Sequence, residues 1–308
     1  MAGPISVPLR IVSLLPSATE IAVALGLEAN LVGRSHECDF PPSVAALPVC
    51  TSTKLEKGLS SRAIEDRVKA IVESGLSVYD VDATLLRSLR PDVILTQSQC
   101  AVCAVTPADL EEALAAWVGT QPVLVSLAPD DLSDVFGDFA RVAEAAGVPE
   151  RAGPAIARMQ QGLAALPAPP ARRPTMLAVE WIEPLMVAGN WVPELVSAAG
   201  AEPLLAAPGT HSHWIDFAAV AAADPDIIAF MPCGYQLAQT LPEARALLAS
   251  PPWRELRAVR EGRVFAVDGH HLYNRPGPRL VESAEVLACL IHTPDAVPER
   301  LQPFIARL

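Results

Sequence analysis

The stretch DATLLRSLRPDVILTQ, residues 82–97, decides the fold, because it returns in outline as DFAAVAAADPDIIAFM at residues 216–231. In each copy a helix-forming run starts at an Asp and is stopped by a proline. An apolar, partly β-branched run then reads as a buried strand. In the first copy the helix runs from Asp82 to just before Pro91 and the strand covers Asp92–Thr96. Working outward, RIVSLLPSATEIAVALGLEANLVG (10–33) reads as a strand over Arg10–Leu14, a proline turn, and a helix from Ser17 that ends near Gly26. A helix around Pro107–Val118 leads into the strand QPVLVSL (121–127). In the second half TMLAVEW (175–181) is a strand, and NWVPELVSAAGA (190–201) is a helix ended by Gly200. The echo extends to single residues: Thr19-Glu20-Ile21 before Gly26 parallels Pro193-Glu194-Leu195 before Gly200.

Strands alternating with helices predict an α/β protein of two Rossmann-like lobes. Each lobe holds a mainly parallel sheet with helices on both faces. The expected boundaries are 1–128 for the first lobe, 129–170 for a helical connection, and 171–308 for the second lobe. Within the connection, Pro149–Leu166 reads as a long backbone helix; at ~18 residues it would span ~27 Å, about a domain diameter. A chain of 308 residues is long enough to split into two cores.

With 51% hydrophobic residues and a mean hydropathy of +0.30, the chain is a folded protein rather than a disordered one. No run reaches the ~18 apolar residues of a membrane span. The net charge of −12 argues against nucleic-acid and anionic-membrane partners, which require basic patches. The opening MAGPISVPLRIVSLLPS lacks a basic start followed by a long apolar segment, so a cytoplasmic location is expected, or an extracytoplasmic one should a leader have been removed. Cysteines at 38, 50, 100, 103, 233 and 289 are scattered, as in a reducing compartment. Phosphate-loop, dinucleotide, zinc-protease and nucleophile-elbow motifs are absent, and the chain reads as a binding protein rather than an enzyme.

Two clusters carry metal-binding chemistry. His36 and Cys38 follow the second strand, and Cys100 and Cys103 follow the strand ending at Thr96. Together they offer the four soft ligands of a zinc site. A redox dithiol, axial ligation of a bound metallo-macrocycle by His36 or Cys38, and plain apolar filling by the two cysteines are the other readings. His211, His213, His270 and His271 form a second group, able to donate hydrogen bonds or ligate a metal. His292, in a terminal helix, reads as a surface or capping residue.

LLPSATEI (14–21), GRSHECDFPP (33–42), RPDVILTQ (90–97), GNWVPELVSAAG (189–200) and DGHHLYNRPGPRLVESAEVLA (268–288) together resemble the vitamin B12-binding branch of the class III, helical-backbone substrate-binding proteins. The resemblance covers nearly the whole chain. It implies a cobalamin-like corrinoid held in a cleft between lobes. The lining would come from Pro16, Ser17, Ala18 and Tyr79 of the first lobe, and from Trp181, Trp191, Trp214, His213, His270, His271, Tyr273 and Arg275 of the second. A flat corrin with amide arms suits aromatic faces and a few polar groups. Trp214, inside the polar run 210–213, is the least core-like of the tryptophans. Members that dock to an ABC permease present a surface glutamate on each lobe. Thr84 and Ala218 stand at the corresponding positions here, so permease docking through those charges is not expected unless Glu20 or Glu194 substitutes. A metal-dependent or corrinoid-modifying enzyme using the His/Cys cluster, and a haem, iron-chelate or metal-ion binder, are the rival readings.

Overall fold

A computed structural model describes residues 8–308 apart from 57, 75–76, 99–104, 108–109, 111–113, 115–116 and 118. The chain divides into two compact units. The first comprises residues up to 57, then 67–129 and 133–157; the second comprises 58–66, 130–132 and 158–308.

In the first unit the strands β1 (Ile11–Ser13), β2 (Leu31–Arg34), β5 (Val93–Gln97) and β6 (Val123–Leu127) form a parallel sheet in the order β2-β1-β5-β6. The strands β3 (Thr51–Thr53) and β4 (Tyr79–Val81) pair antiparallel beside it. Helix α1 (Pro16–Ala24) begins one residue earlier than the sequence reading placed it. The proline occupies its first turn, where a missing N–H costs nothing and the fixed φ suits a helix. Helix α2 (Ser61–Glu73) contains a boundary between the units, after Asp66. Helix α3 (Ala83–Leu89) is capped by Asp82, whose carboxylate accepts the Leu85 N–H at 2.8 Å, and it ends on Arg90 in the left-handed region. Val12, Leu14, Leu86 and Ile94 lie at the centre of this unit's core. The helix expected around 107–118 falls mostly outside the described residues.

Helix α4 (Leu132–Ala145) is followed by a 3-10 turn at Pro149–Arg151 and by α5 (Ala152–Ala164). The other boundary between the units falls inside α5, after Ala157.

The second unit is built on β7 (Thr175–Trp181), with β8 (Met186–Val187), helix α6 (Val192–Ala199), β9 (Glu202–Pro203), β10 (His213–Trp214), helix α7 (Phe217–Ala223), β11 (Ile227–Phe230), helix α8 (Leu237–Leu248), β12 (Val264–Val267), helix α9 (Leu280–His292) and β13 (Ile305–Arg307). The strands β9, β7, β11 and β12 run parallel, while β8, β10 and β13 add antiparallel edges. The sequence did not show these edges, since two of the three have only two residues, too short for any alternation to be read. Leu177, Ile228, Phe230 and Trp253 form the buried centre. Truncating one of them to Ala would cost on the order of 2–5 kcal/mol.

Helix α7 repeats α3 closely. Asp216 caps it by accepting the Ala219 N–H at 2.8 Å, and it ends on Asp224 in the left-handed region before Pro225. Gly200, with φ 104°, ends α6, because a residue without Cβ takes that conformation at little cost.

Candidate functional site

Open parallel sheets offer binding groups at the carboxyl ends of their strands. In the first unit β1 runs there into α1, where Pro16 is half-buried and Ser17 and Ala18 are packed away at 4% and 0% exposure. Thr19 Oγ1 donates to Ser13 Oγ at 2.8 Å and lies 3.1 Å from Cys38 Sγ, so the fully buried Cys38 belongs to a hydrogen-bonded cluster under this helix. After β2, both the backbone N–H and Nδ1 of His36 meet Thr51 Oγ1, at 3.1 and 2.8 Å. The imidazole sits 5.7 Å from the Tyr79 ring. His36 is therefore a positioned, half-buried side chain backed by β3 and β4.

For the zinc reading, Cys100 and Cys103 lie outside the described residues. Among the described residues no third ligand joins His36 and Cys38. Nothing supports zinc at this position. Burial pushes the Cys50 thiol up to about 11, which makes it an inert core thiol.

In the second unit the ends of β7, β11 and β12 gather a denser set. Trp181 is buried and packs edge-on against Tyr235, with ring centres 5.4 Å apart. Trp191 is buried too, and its indole N–H donates to the Tyr273 carbonyl at 2.9 Å. Tyr273 itself is 1% exposed, with its hydroxyl on the Ser283 carbonyl at 3.1 Å. These two side chains brace the loop that carries the histidines. In contrast, Trp214 is 51% exposed, and His213 beside it is exposed as well.

After β12, Asp268 accepts the His271 backbone N–H at 2.8 Å and lies 3.0 Å from His271 Nδ1. Burial works to raise the Asp268 pKa, but these His271 hydrogen bonds outweigh it and hold the carboxyl below its ordinary value. His270 Nε2 is 2.8 Å from Arg275 Nη2, and its backbone N–H donates to Tyr235 O. His292 Nε2 meets the Ala199 carbonyl at 3.0 Å, a helix-end contact.

Sequence reasoning missed Glu180 and Ser212. Ser212 Oγ donates to Glu180 Oε2 at 2.8 Å and accepts the Gly189 N–H at 2.9 Å. Burial pushes the Glu180 carboxyl up to about 7, and the Ser212 hydrogen bond offsets only part of that rise. The available signal was a glutamate in an otherwise apolar strand, TMLAVEW.

The periplasmic binding protein family matches residues 11–270. An uncharacterized ABC transporter substrate-binding lipoprotein of Bacillus subtilis, YvrC, is 25% identical over 303 residues, covering 95% of this chain and 82% of that protein. A periplasmic heme binding protein from Pseudomonas aeruginosa superposes with a TM-score of 0.68 at 24% identity, over 98% of each chain. The periplasmic vitamin B12 binding protein BtuF of Vibrio cholerae superposes with a TM-score of 0.60 at 19% identity, over 92% of this chain and 96% of that one.

The family whose description matches most of the chain is one of substrate-binding transport proteins rather than enzymes. This chain belongs to the periplasmic binding protein family. That membership, with the lipoprotein relative, corrects the expected cytoplasmic location: the missing leader pattern at the start of the sequence was no guide to the compartment.

Proposed function

We propose that this protein is the extracytoplasmic binding component of an ABC importer and that its ligand is a corrinoid of the cobalamin class. The observation that carries the corrinoid over haem is the polarity of the strand-end loops. Haem presents two propionates, which call for cations, whereas a corrin presents neutral amide arms. Three arginines of these loops spend donors on the protein itself. Arg34 donates to the carbonyls of Ser35, Cys38 and Ala45, Arg275 meets His270, and Arg279 pairs with Glu282. Carboxyl groups, Glu180 and Asp268, stand there too. Trp214 adds an exposed indole face for a flat macrocycle, and His213 an exposed imidazole for its metal. In this reading Ser17, Ala18 and Tyr79 of the first unit, and Trp181, Trp191, Tyr273 and Arg275 of the second, are buried supports for their strand-end loops, while Pro16 and His36 in the first unit and His213, Trp214, His270 and His271 in the second offer surface to a ligand.

A haem reading shares the aromatic and imidazole groups but needs free cations. Thr84 and Ala218 occupy the first turns of α3 and α7. Glu20 is 2% exposed, and the Glu194 carboxylate accepts the Leu132 N–H at 2.7 Å. A permease would thus read other surface groups than these four.

Calorimetric titration with dicyanocobinamide and with haemin tests the reading. Corrinoid binding at or below micromolar Kd, and at least tenfold tighter than haemin, is expected; the reverse order replaces the corrinoid by haem.

A further inference from the structure

Glu180 is a carboxyl group with a single hydrogen bond and no counter-charge. Ser212 holds one of its oxygens, and no cation among the described residues acts on it. An uncompensated carboxylate in a partly buried position is costly, and a strand end could have carried a neutral residue without that cost. Its surroundings are rigidly built. A Cβ on Gly189 would stand 2.2 Å from the Thr210 carbonyl oxygen and 2.6 Å from the Ser212 nitrogen, so only glycine lets these two loops close. The Gly189 N–H then fixes Ser212 Oγ, which in turn fixes Glu180. Next in sequence, Asn190 takes φ 52°, and its backbone N–H donates to the Thr210 carbonyl at 2.7 Å. Its side chain is part of a residue only 7% exposed, and Oδ1 has no hydrogen-bond partner. An orphaned buried amide oxygen and an uncompensated carboxyl thus belong to one pair of interlocked loops. Asn190 Oδ1 is sealed from the surface, whereas Glu180 is partly exposed and lacks the donor that a ligand N–H would supply.

We propose that Glu180, oriented by Ser212, is the specificity-determining group of the binding site, accepting N–H donors from neutral amide arms of the ligand and rejecting ligands whose arms end in carboxylates. This rests on the macrocycle-binding reading above and deepens it. The bond from an amide N–H to an ionised carboxylate is charge-assisted and stronger than a neutral pair. A ligand carboxylate at the same place meets like charge. Glu180→Gln keeps the shape and an acceptor for Ser212 while removing the charge, so it converts a charge filter into a neutral contact.

The full chain, Glu180→Gln and Ser212→Ala are titrated at pH 8, where Glu180 is ionised, with dicyanocobinamide and with cobyrinic acid, whose arms are carboxylates. Circular dichroism melting confirms that each variant is folded. The unaltered protein is expected to prefer the amide-armed corrinoid at least a hundredfold. Glu180→Gln should cut that preference at least tenfold, chiefly by tightening cobyrinic acid binding, and Ser212→Ala should weaken cobinamide several-fold. A preference unchanged in Glu180→Gln overturns the inference and leaves the corrinoid reading standing. Should the protein bind haemin but no corrinoid, the corrinoid reading fails, and the filter is read from haemin against its dimethyl ester. A preference for the ester that Glu180→Gln abolishes then upholds it, and equal binding overturns it. Binding of neither macrocycle overturns both.

Discussion

The two units build the same corner with different strength. In the first, Asp92 follows Pro91, accepts the Arg10 backbone N–H at 2.8 Å, and is exposed. In the second, Asp226 follows Pro225 and accepts the Thr175 N–H at 2.9 Å, the Thr175 hydroxyl at 3.1 Å and Arg257 Nη1 at 2.6 Å. Burial works to raise the Asp226 pKa, yet these bonds hold it below the ordinary carboxylate range. Toward the carboxyl ends of their sheets the units differ in side-chain chemistry. One offers a His36–Tyr79 contact backed by Thr51, the other a carboxyl held by Ser212. The repeated end is scaffold, where a proline, a left-handed residue and an aspartate register one strand against its neighbour. The divergent end is free to carry ligand chemistry.

That contrast can be broken most sharply at the corners. Asp226→Ala should cost about 3 kcal/mol, because it leaves a backbone donor and a guanidinium without their acceptor, while Asp92→Ala should cost only about 1 kcal/mol. Urea denaturation reads both, and equal costs would erase the distinction.

At the ligand-bearing end, Gly189→Ala should cost about 2 kcal/mol through its clash with Thr210 and Ser212, and should weaken ligand binding at the same time. A variant that melts early yet binds normally would show that the interlocked loops serve stability alone.

The buried carboxyls offer a finer comparison. Asp138 on α4 is fully buried, with Arg141 on one oxygen and no partner on the other, and burial pushes it up to about 6. Since its folded pKa lies above the unfolded 3.8, the folded state holds this proton more tightly. Stability from this group is greatest at low pH and is lost as pH rises from about 4 through about 6. Asp138→Asn should therefore raise stability by about 1–2 kcal/mol at pH 8 and by nothing near pH 4, as thermal melts across pH would show. Glu180 follows the same sign, with stability lost as pH rises from 4.5 through about 7, but its removal should show in ligand choice as well.

Much of the scaffold was legible because its signals are local. Strand β7 coincides with TMLAVEW, and the Asp82 and Asp216 helices start and stop where an Asp and a Pro predict. The site was less legible, since its contacts join distant residues. Nothing in sequence pairs Glu180 with Ser212, whereas the polar run around Trp214 does mark it as the least core-like tryptophan, and it is exposed while Trp191 is buried against Tyr273. Residue type suggested aromatic lining; only burial separates a brace from a face. His36 reads as a metal ligand in sequence, and the structure adds that Thr51 Oγ1 meets its Nδ1 and so fixes the ring.

Native mass spectrometry of the protein incubated with an equimolar mixture of dicyanocobinamide and haemin tests the central claim most directly. A dominant one-to-one corrinoid adduct is predicted. A dominant haem adduct, with the corrinoid left free, would contradict it.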